Sequence, residues 1–398
     1  MSAAPTRAEG LTRLHNFVPH AGRAYAAGRN HDHGPGRHTA VSGLSPWIRH
    51  RLVRETDVLQ ATLDRHSASA ADKFVSEVFW RIYFKGWLEH RPGVWDRYLS
   101  GVTSGRRRLD ADAALADRFY EAVEGRTGIA CFDHWARELL ETGYMHNHAR
   151  MWFASIWIFT LQLPWELGAA WFLEHLLDGD PAANTCSWRW VAGLHTKGKT
   201  YLARPDNIEK YTNGRFRPTG LAREAPPLQA PDLGSRLPLV GGDPLPTGSR
   251  FALLLHQDDL HGESLGLTEA PTAVAALAPG SDQAELPRKF TAGALQDGLS
   301  RAADTWDIAA GPVFGSDALN EAVEWARATG AEQVVTPFAT VGPSRDALDT
   351  LERRLTEEGV ALVRVQRDID RLAWPFAKAG FFGLKKKIPR LLGDLGFG

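Results

Sequence analysis

Residues 174–190 read EHLLDGDPAANTCSWRW. An Asp-Gly-Asp turn closes a tryptophan-rich helical stretch, and Ala-Ala-Asn and a Trp-x-Trp follow it. Asp178 and Asp180 stand two residues apart and could bind a metal, but the turn lacks the further oxygens of a calcium loop. They could equally cap helices, with Arg150 as the ion-pair partner. Upstream, GYMHNHARM (143–151) carries a second tempting pair, His146 and His148. Residues two apart on a helix point to different faces, which argues against a shared zinc ion.

Working outward, HSASAADKFVSEVFWRIYFKGWLEH (66–90) spaces its apolar residues at three and four, with Ser67 or Ser69 available as an N-cap. TGIACFDHWARELLETG (127–143) repeats the pattern and ends on Gly143, suited to a left-handed C-cap. Further helices are expected over 146–163 and 165–177. Tryptophan on several faces of these helices requires packing on all sides, so the first part reads as an all-helical globule. The longest apolar run, 151–165, is too short for a membrane span and contains Gln162 and Pro164.

Past residue 217 the composition turns to Pro, Gly and Leu, an extended and semi-rigid linker over 218–249. Beyond it, apolar runs at 250–256, 272–278, 311–315, 332–338 and 360–366 have strand length. Helical patterns at 316–330 and 344–359 separate some of them. Such alternation predicts a parallel sheet covered by helices. Neither GxGxxG nor GxxxxGK[ST] follows the first strand, so the usual phosphate-cradling loop is lacking. The reading is an all-α domain over 1–217, the linker 218–249, and an α/β Rossmann-like domain over 250–398.

The chain has 398 residues and a net charge of −1. That balance excludes an obvious nucleic-acid-binding or acidic-tail composition, yet it hides an asymmetry. Residues 1–230 carry a net +5 with 11 of the 14 Trp and 13 of the 15 His, and residues 231–398 carry −6. Cys131 and Cys186 are the two cysteines, too few for a disulfide framework or an iron–sulfur cluster. With no apolar leader-like stretch at the N-terminus, a reducing cytoplasm is the expected location. A monomer with no membrane association is the expected state.

Four segments together resemble the FAD-binding helical domain of the photolyase/cryptochrome family over 11–210. VSGLSPWI (41–48) resembles its Thr-Ser-Arg-Leu-Ser-Pro phosphate loop, and FVSEVFWRIYF (74–84) its Trp-x-x-Glu-x-x-Trp-Arg-Glu-Phe helix. GYMHNHARM resembles Gly-Trp-Met-His-Asn-Arg-x-Arg-Met, and DGDPAANTCSWRW resembles Asp-Gly-Asp-x-Ala-x-Asn-x-Gly-x-Trp-x-Trp. The resemblance implies FAD as cofactor, with Ser42, Leu44, Ser45 and Arg81 at its phosphates and Asn147 at the flavin or its phosphates. It implies Asp178 and Asp180 along the adenine–ribitol side and the isoalloxazine edge, Arg150 paired to Asp178, and Asn184 facing flavin N5. Glu77, Trp80 and Met151 match the residues around a flipped pyrimidine dimer. Trp188 and Trp165 match the inner and middle members of an electron-transfer series whose outer member is missing. Trp95, Trp135, Trp152 and Trp171 are candidate substitutes for it.

Gly43, His148 and Ile82 depart from the family pattern, replacing two arginines and a glutamate. The segment after the Trp pair departs as well. Its Lys197, Lys199, Arg204, Lys210 and Arg215 could contact a phosphate backbone or form a solvated face. LLLHQDDLHGESLGL (253–267) and AWPFAKAGFFGLKKKIPRLL (373–392) resemble the start and end of the family's antenna domain. That domain normally comes first, so a circular permutation is expected, with an antenna chromophore possible but unidentified. The function implied is light-driven repair of cyclobutane pyrimidine dimers in DNA by a deoxyribodipyrimidine photo-lyase. The alternatives are a cryptochrome-type blue-light receptor and a flavoprotein of this fold without a light-dependent role.

Overall fold

The computed structural model describes residues 4–279 and 283–397. Residues 1–3 of the N-terminal stretch read above lie outside it. Up to the linker the chain forms α1 (Arg7–Phe17), α2 (Arg23–Gly28), α3 (Ser45–Arg49), α4 (Glu55–Leu63), α5 (Asp72–Glu89), α6 (Gly93–Ala111), α7 (Ala113–Val123), α8 (Ala130–Thr142), α9 (Asn147–Ser155), α10 (Trp165–His175), α11 (Pro181–Val191) and α12 (Pro205–Tyr211). The 3–4 periodicity is realised most fully in α5, where both sides of the helix are buried around Phe79, Ile82, Tyr83 and Trp87. Its expected serine cap is not used. The helix starts after Ala71 with no side-chain cap, because Ser67 Oγ instead accepts from Ala70 N–H (3.3 Å) in a preceding turn. Gly143 ends α8 in the left-handed conformation, as read. The helix expected over 146–163 is interrupted: α9 passes into a π-helical turn, Ile156–Thr160, and Gln162 takes φ 54 ahead of Pro164. The wider turn leaves Trp157 Nε1 free to donate to the Pro164 carbonyl (2.9 Å).

Residues 218–249 form neither helix nor strand among the described residues, yet they are not free. Leu228 N–H bonds the Ala192 carbonyl, Leu237 N–H the His90 carbonyl, and Asp243 N–H the Arg364 carbonyl. Beyond them lie β1 (Phe251–His256), β2 (Val274–Ala278), α13 (Glu285–Trp306), β3 (Ala310–Gly315), α14 (Leu319–Ala328), β4 (Gln333–Pro337), α15 (Pro343–Glu357), β5 (Ala361–Val365), α16 (Asp368–Ala373), α17 (Phe381–Lys385) and α18 (Ile388–Asp394). All strand pairs are parallel, in the order β3-β2-β1-β4-β5. This is the Rossmann order, with its switch point between β1 and β4. Alternate residues go to opposite faces. Leu253, Leu255 and Val335 join a core continuous with the helical part, whereas Leu254, Leu277 and Val334 pack with α14 and α15.

The joint between the halves is ionic as well as apolar. Arg49-His50-Arg51 enters the sheet's carboxyl end. Arg49 pairs with Asp258 at 2.6 Å, and the His50 carbonyl accepts from Leu260 N–H. Arg51 reaches Glu55 (3.1 Å), Asp259 (3.1 Å) and Asp370 (2.6 Å), and Arg367 holds Asp259 from the far side at 2.6 Å. Burial penalises each charge. The neighbouring arginines nevertheless keep Asp258 and Asp259 well below the ordinary carboxylate range, and the carboxylates hold Arg51 firmly protonated. His50, buried beside Arg49, has its pKa pushed down to about 3 and stays neutral. Arg51 adopts φ 50, a conformation costly for a residue with a side chain and maintained by these contacts. Removing one partner of a buried pair leaves uncompensated charge. Arg51→Ala is therefore expected to lower the unfolding free energy by about 3–5 kcal/mol in denaturant titration, and a loss below about 1 kcal/mol would contradict this role.

Candidate functional site

Three helices turn the same pattern of positions towards one cavity of about 580 Å³. From α5 come Glu77, Trp80, Arg81 and Phe84; from α9, Asn147, Arg150, Met151 and Ala154; from α11, Asn184, Ser187, Trp188 and Val191. Each set follows i, i+3, i+4, i+7, one stripe of an α-helix, with His148 of α9 and Ala183 and Trp190 of α11 lining the cavity beside their stripes. The loop before α3 closes the wall with Ser42, Gly43, Leu44 and Ser45, and the Asp178–Asp180 turn forms another part of the lining. Of the residues expected at the site, all but Trp165 line this cavity.

The turn is held by cations. Arg150 Nη2 donates to both oxygens of Asp178 (2.9 and 3.1 Å), and its Nε to the Met145 carbonyl. Asp180 N-caps α11 through Ala183 N–H (2.8 Å), while its other oxygen stands 3.6 Å from Arg81 and 3.7 Å from Lys85. Arg49 Nε donates to the Gly179 carbonyl (2.6 Å), linking the turn to the joint described above. Burial alone would raise the pKa of both carboxyls. Arg150 and Arg81 outweigh it at Asp178, and Lys85 and Arg81 at Asp180, so both lie below the ordinary value. The capping and pairing roles are thus both present, on residues that also line the cavity.

Arg81 Nη1 and Trp188 Nε1 are buried donors without a hydrogen-bond partner. Asn184 donates its amide N–H to the Ala169 carbonyl (2.8 Å), leaving its oxygen as an acceptor. At Gly43 (φ 61) no atom lies within 4 Å of a built Cβ, so the place of the family's arginine is open space. Arginines, serine hydroxyls and carboxamides around an elongated cavity suit a dinucleotide with a diphosphate bridge. The residues present fit FAD.

On the rim, Glu77 forms an ion pair with Arg29; burial nevertheless keeps its pKa raised. Trp80 stacks on Phe381 of α17, centroids 3.8 Å apart and 15° from parallel. Trp188 meets Trp157 edge-on at 6.1 Å and Phe172 at 5.1 Å, an approach that Gly168 permits: a Cβ there would lie 2.4 Å from the Trp188 ring. Trp165 has different neighbours, Tyr98 at 5.9 Å and the Arg189 guanidinium at 6.0 Å, and no ring contact with Trp188 among the described residues. Trp95, Trp135, Trp152 and Trp171 are all buried in the core. His146 and His148 diverge: His148 stacks on Trp152 (4.1 Å), while His146 stacks on His38 (5.4 Å). Arg215 does not belong to a solvated basic face, because it turns inward to Asp32 (3.0 Å); Lys197, Lys199, Arg204 and Lys210 are exposed. Sequence reasoning missed Arg29, Arg49 and Lys85. Lys85 had a signal, since it stands one turn beyond Arg81 on the same helix.

Residues 74–215 match the family model described as the FAD binding domain of DNA photolyase. That match lies wholly within the helical half, so it is this half of the chain that is similar to the photolyase family. It is 34% identical over 194 residues to a deoxyribodipyrimidine photo-lyase of Agrobacterium fabrum, covering 48% of this chain and 38% of that protein. To one from Thermus thermophilus it is 36% identical over 193 residues, covering 42% and 45%. The chain thus spans less than half the length of these curated relatives. A bacterial class III photolyase from Agrobacterium tumefaciens superposes at TM-score 0.41 with 27% identity, over 52% of this chain and 43% of that one. No helix among the described residues is long and apolar enough to cross a membrane.

Because Asp178 and Asp180 have lowered folded-state pKa values, they stabilise the fold above about pH 4, and that contribution fades as pH falls below it. Asp178→Asn should flatten the acid limb of the stability curve and lower retained FAD. An acid limb identical to wild type would show that Asp178 does not carry it.

Proposed function

We propose that this protein is a light-driven DNA repair enzyme that splits cyclobutane pyrimidine dimers, with FAD in the cavity just described. The observation that carries this reading is the sharing of a single cavity between the FAD-suited residues and the set Glu77, Trp80 and Met151. FAD, when bound, supplies a light-absorbing centre able to pass a single electron. Ser42, Ser45 and Arg81 would hold its phosphates, with Leu44 beside them, and Asn147 and Asn184 the flavin. Asp178 and Asp180, fixed by Arg150, Arg81 and Lys85, would accept hydrogen bonds from the remaining polar edge.

Trp80 offers an aromatic surface for a flipped lesion, with its ring braced from behind by Phe381. Met151 adds a polarizable thioether, and Glu77 a hydrogen-bonding group whose ionisation burial disfavours. The Arg29 ion pair orients that carboxyl and leaves its other oxygen for a lesion. We assign Trp188 as the inner electron donor, supported by its position in the cavity wall. The separation of Trp165 from it favours Trp157 as the next ring.

The same reading takes 250–398 as an antenna-like domain in permuted order. Its support is the common core with the helical part and the use of 253–267 at the joint. The acidic sheet domain then lies apart from the DNA-facing rim, apart from α17. Cys131 and Cys186, both buried and free, suit a reducing compartment.

Illuminating the purified, fully reduced protein with dimer-containing DNA should remove dimers. Trp80→Ala should weaken binding of that DNA by about 1–3 kcal/mol while FAD absorption is retained. Trp188→Phe should slow photoreduction without loss of FAD. Persistence of every dimer under reduced flavin, with photoreduction intact, would favour the receptor reading instead.

A further inference from the structure

The loop His31–His38 reads HDHGPGRH, three histidines and an aspartate in eight residues, and none of them lines the cavity. It folds back onto α8. Asp32 is fully buried: Oδ1 accepts from Gly34 N–H (2.9 Å), Oδ2 accepts from Trp135 Nε1 (2.9 Å), and Arg215 lies 3.0 Å from Oδ2. His38 approaches from the far end of the loop. Its Nε2 is 2.8 Å from Glu138 Oε1, and its Nδ1 faces Asp32 Oδ1 at 3.9 Å. One candidate ligand atom from each of Asp32, His38 and Glu138 lies within 4.8 Å of the other two.

The group is incomplete as it stands. His38 Nδ1 and Glu138 Oε2 are buried without a hydrogen-bond partner, and Glu138 is only 2% exposed. Buried polar atoms are ordinarily satisfied, so these two call for an absent partner. The charges are also unevenly met, since Arg215 answers Asp32 while Glu138 has only His38 as an ion-pair partner among the described residues. His146 does not correct this. Its Nδ1 accepts from His148 N–H (3.2 Å), which puts the proton on Nε2 and makes it a donor beside the group rather than a ligand. A cation among the three side chains would supply both the missing contacts and the missing charge.

We propose that Asp32, His38 and Glu138 bind one divalent transition-metal ion of the zinc type, with water completing its coordination. An imidazole and two carboxylates form a nitrogen–oxygen donor set suited to zinc, whereas calcium and magnesium prefer oxygen alone. Bonds of about 2.0–2.2 Å to such an ion require the three ligand atoms to draw together from separations of up to 4.8 Å. The ion acts as a staple. Arg29 and Ser42, on either side of the loop, both line the cavity, so pinning His38 to α8 fixes the chain that carries them.

The test uses the full chain with its FAD, incubated with zinc alone and then freed of unbound metal. About one zinc per chain is expected to remain, and zinc should raise the melting temperature of the wild type. His38→Ala should lose both effects, and Glu138→Gln should weaken zinc binding at least tenfold. His33→Ala, in the same loop but outside the group, should keep both. Equal zinc on His38→Ala, or its loss from His33→Ala, would overturn the assignment in favour of surface histidines. No retained zinc and an unmoved wild-type melting temperature would overturn it too.

Discussion

The Asp178–Asp180 turn of the cavity wall is tied to the sheet by a tripeptide that does not itself line the cavity. Arg49, His50 and Arg51 occupy the carboxyl end of β1, beside the crevice where Rossmann-type sheets usually admit a ligand. Arg49 binds Asp258 on that side and the Gly179 carbonyl on the other, so one guanidinium joins the sheet to the Asp178–Asp180 turn. Arg51 gathers carboxylates from the helical part (Glu55) and from both ends of the α/β part (Asp259 and Asp370). Charges so buried gain little net stability from pairing, because desolvation offsets most of the Coulomb attraction. Their effect is selective: any other docking of the two halves would strand several of them. We read this as the reason two compositionally unlike halves meet in one way.

The elements were legible where periodicity is strong and silent where it is weak. Strand-length runs of Leu, Val and Ala emerged as β1 to β5 within a residue or two, and α15 with them, while α14 (Leu319–Ala328) is shorter at both ends than the 316–330 read from the sequence. The long α13 was not anticipated. Its buried face mixes Phe290, Leu295 and Leu299 with Thr291, Ala294, Gly298, Ala302 and Ala303, small residues that dilute the apolar stripe. The π turn after Ser155 was equally hidden, since nothing in the local pattern separates it from a regular helix.

At the site, the motif residues of α5, α9 and α11 converge because each set is one stripe of a helix, which sequence does encode; the loop Ser42–Ser45 and the turn Asp178–Asp180 join them from outside the helices. What sequence could not supply were partners drawn from elsewhere in the chain. Arg29 on Glu77, Arg49 on Gly179 and Phe381 on Trp80 are long-range contacts with no local spacing to announce them. Trp165, matched by resemblance alone, is placed by α10 with its ring beside Tyr98 and without a ring contact to Trp188 among the described residues.

The stacking of Phe381 on Trp80 also sets an order of events. The two rings come from segments far apart in sequence, so during synthesis the helical part emerges long before its rim can be finished. Until α17 leaves the ribosome, one face of Trp80 remains bare and the wall behind it is open. A cofactor entering the cavity before then would meet a rim whose aromatic stack is not yet formed.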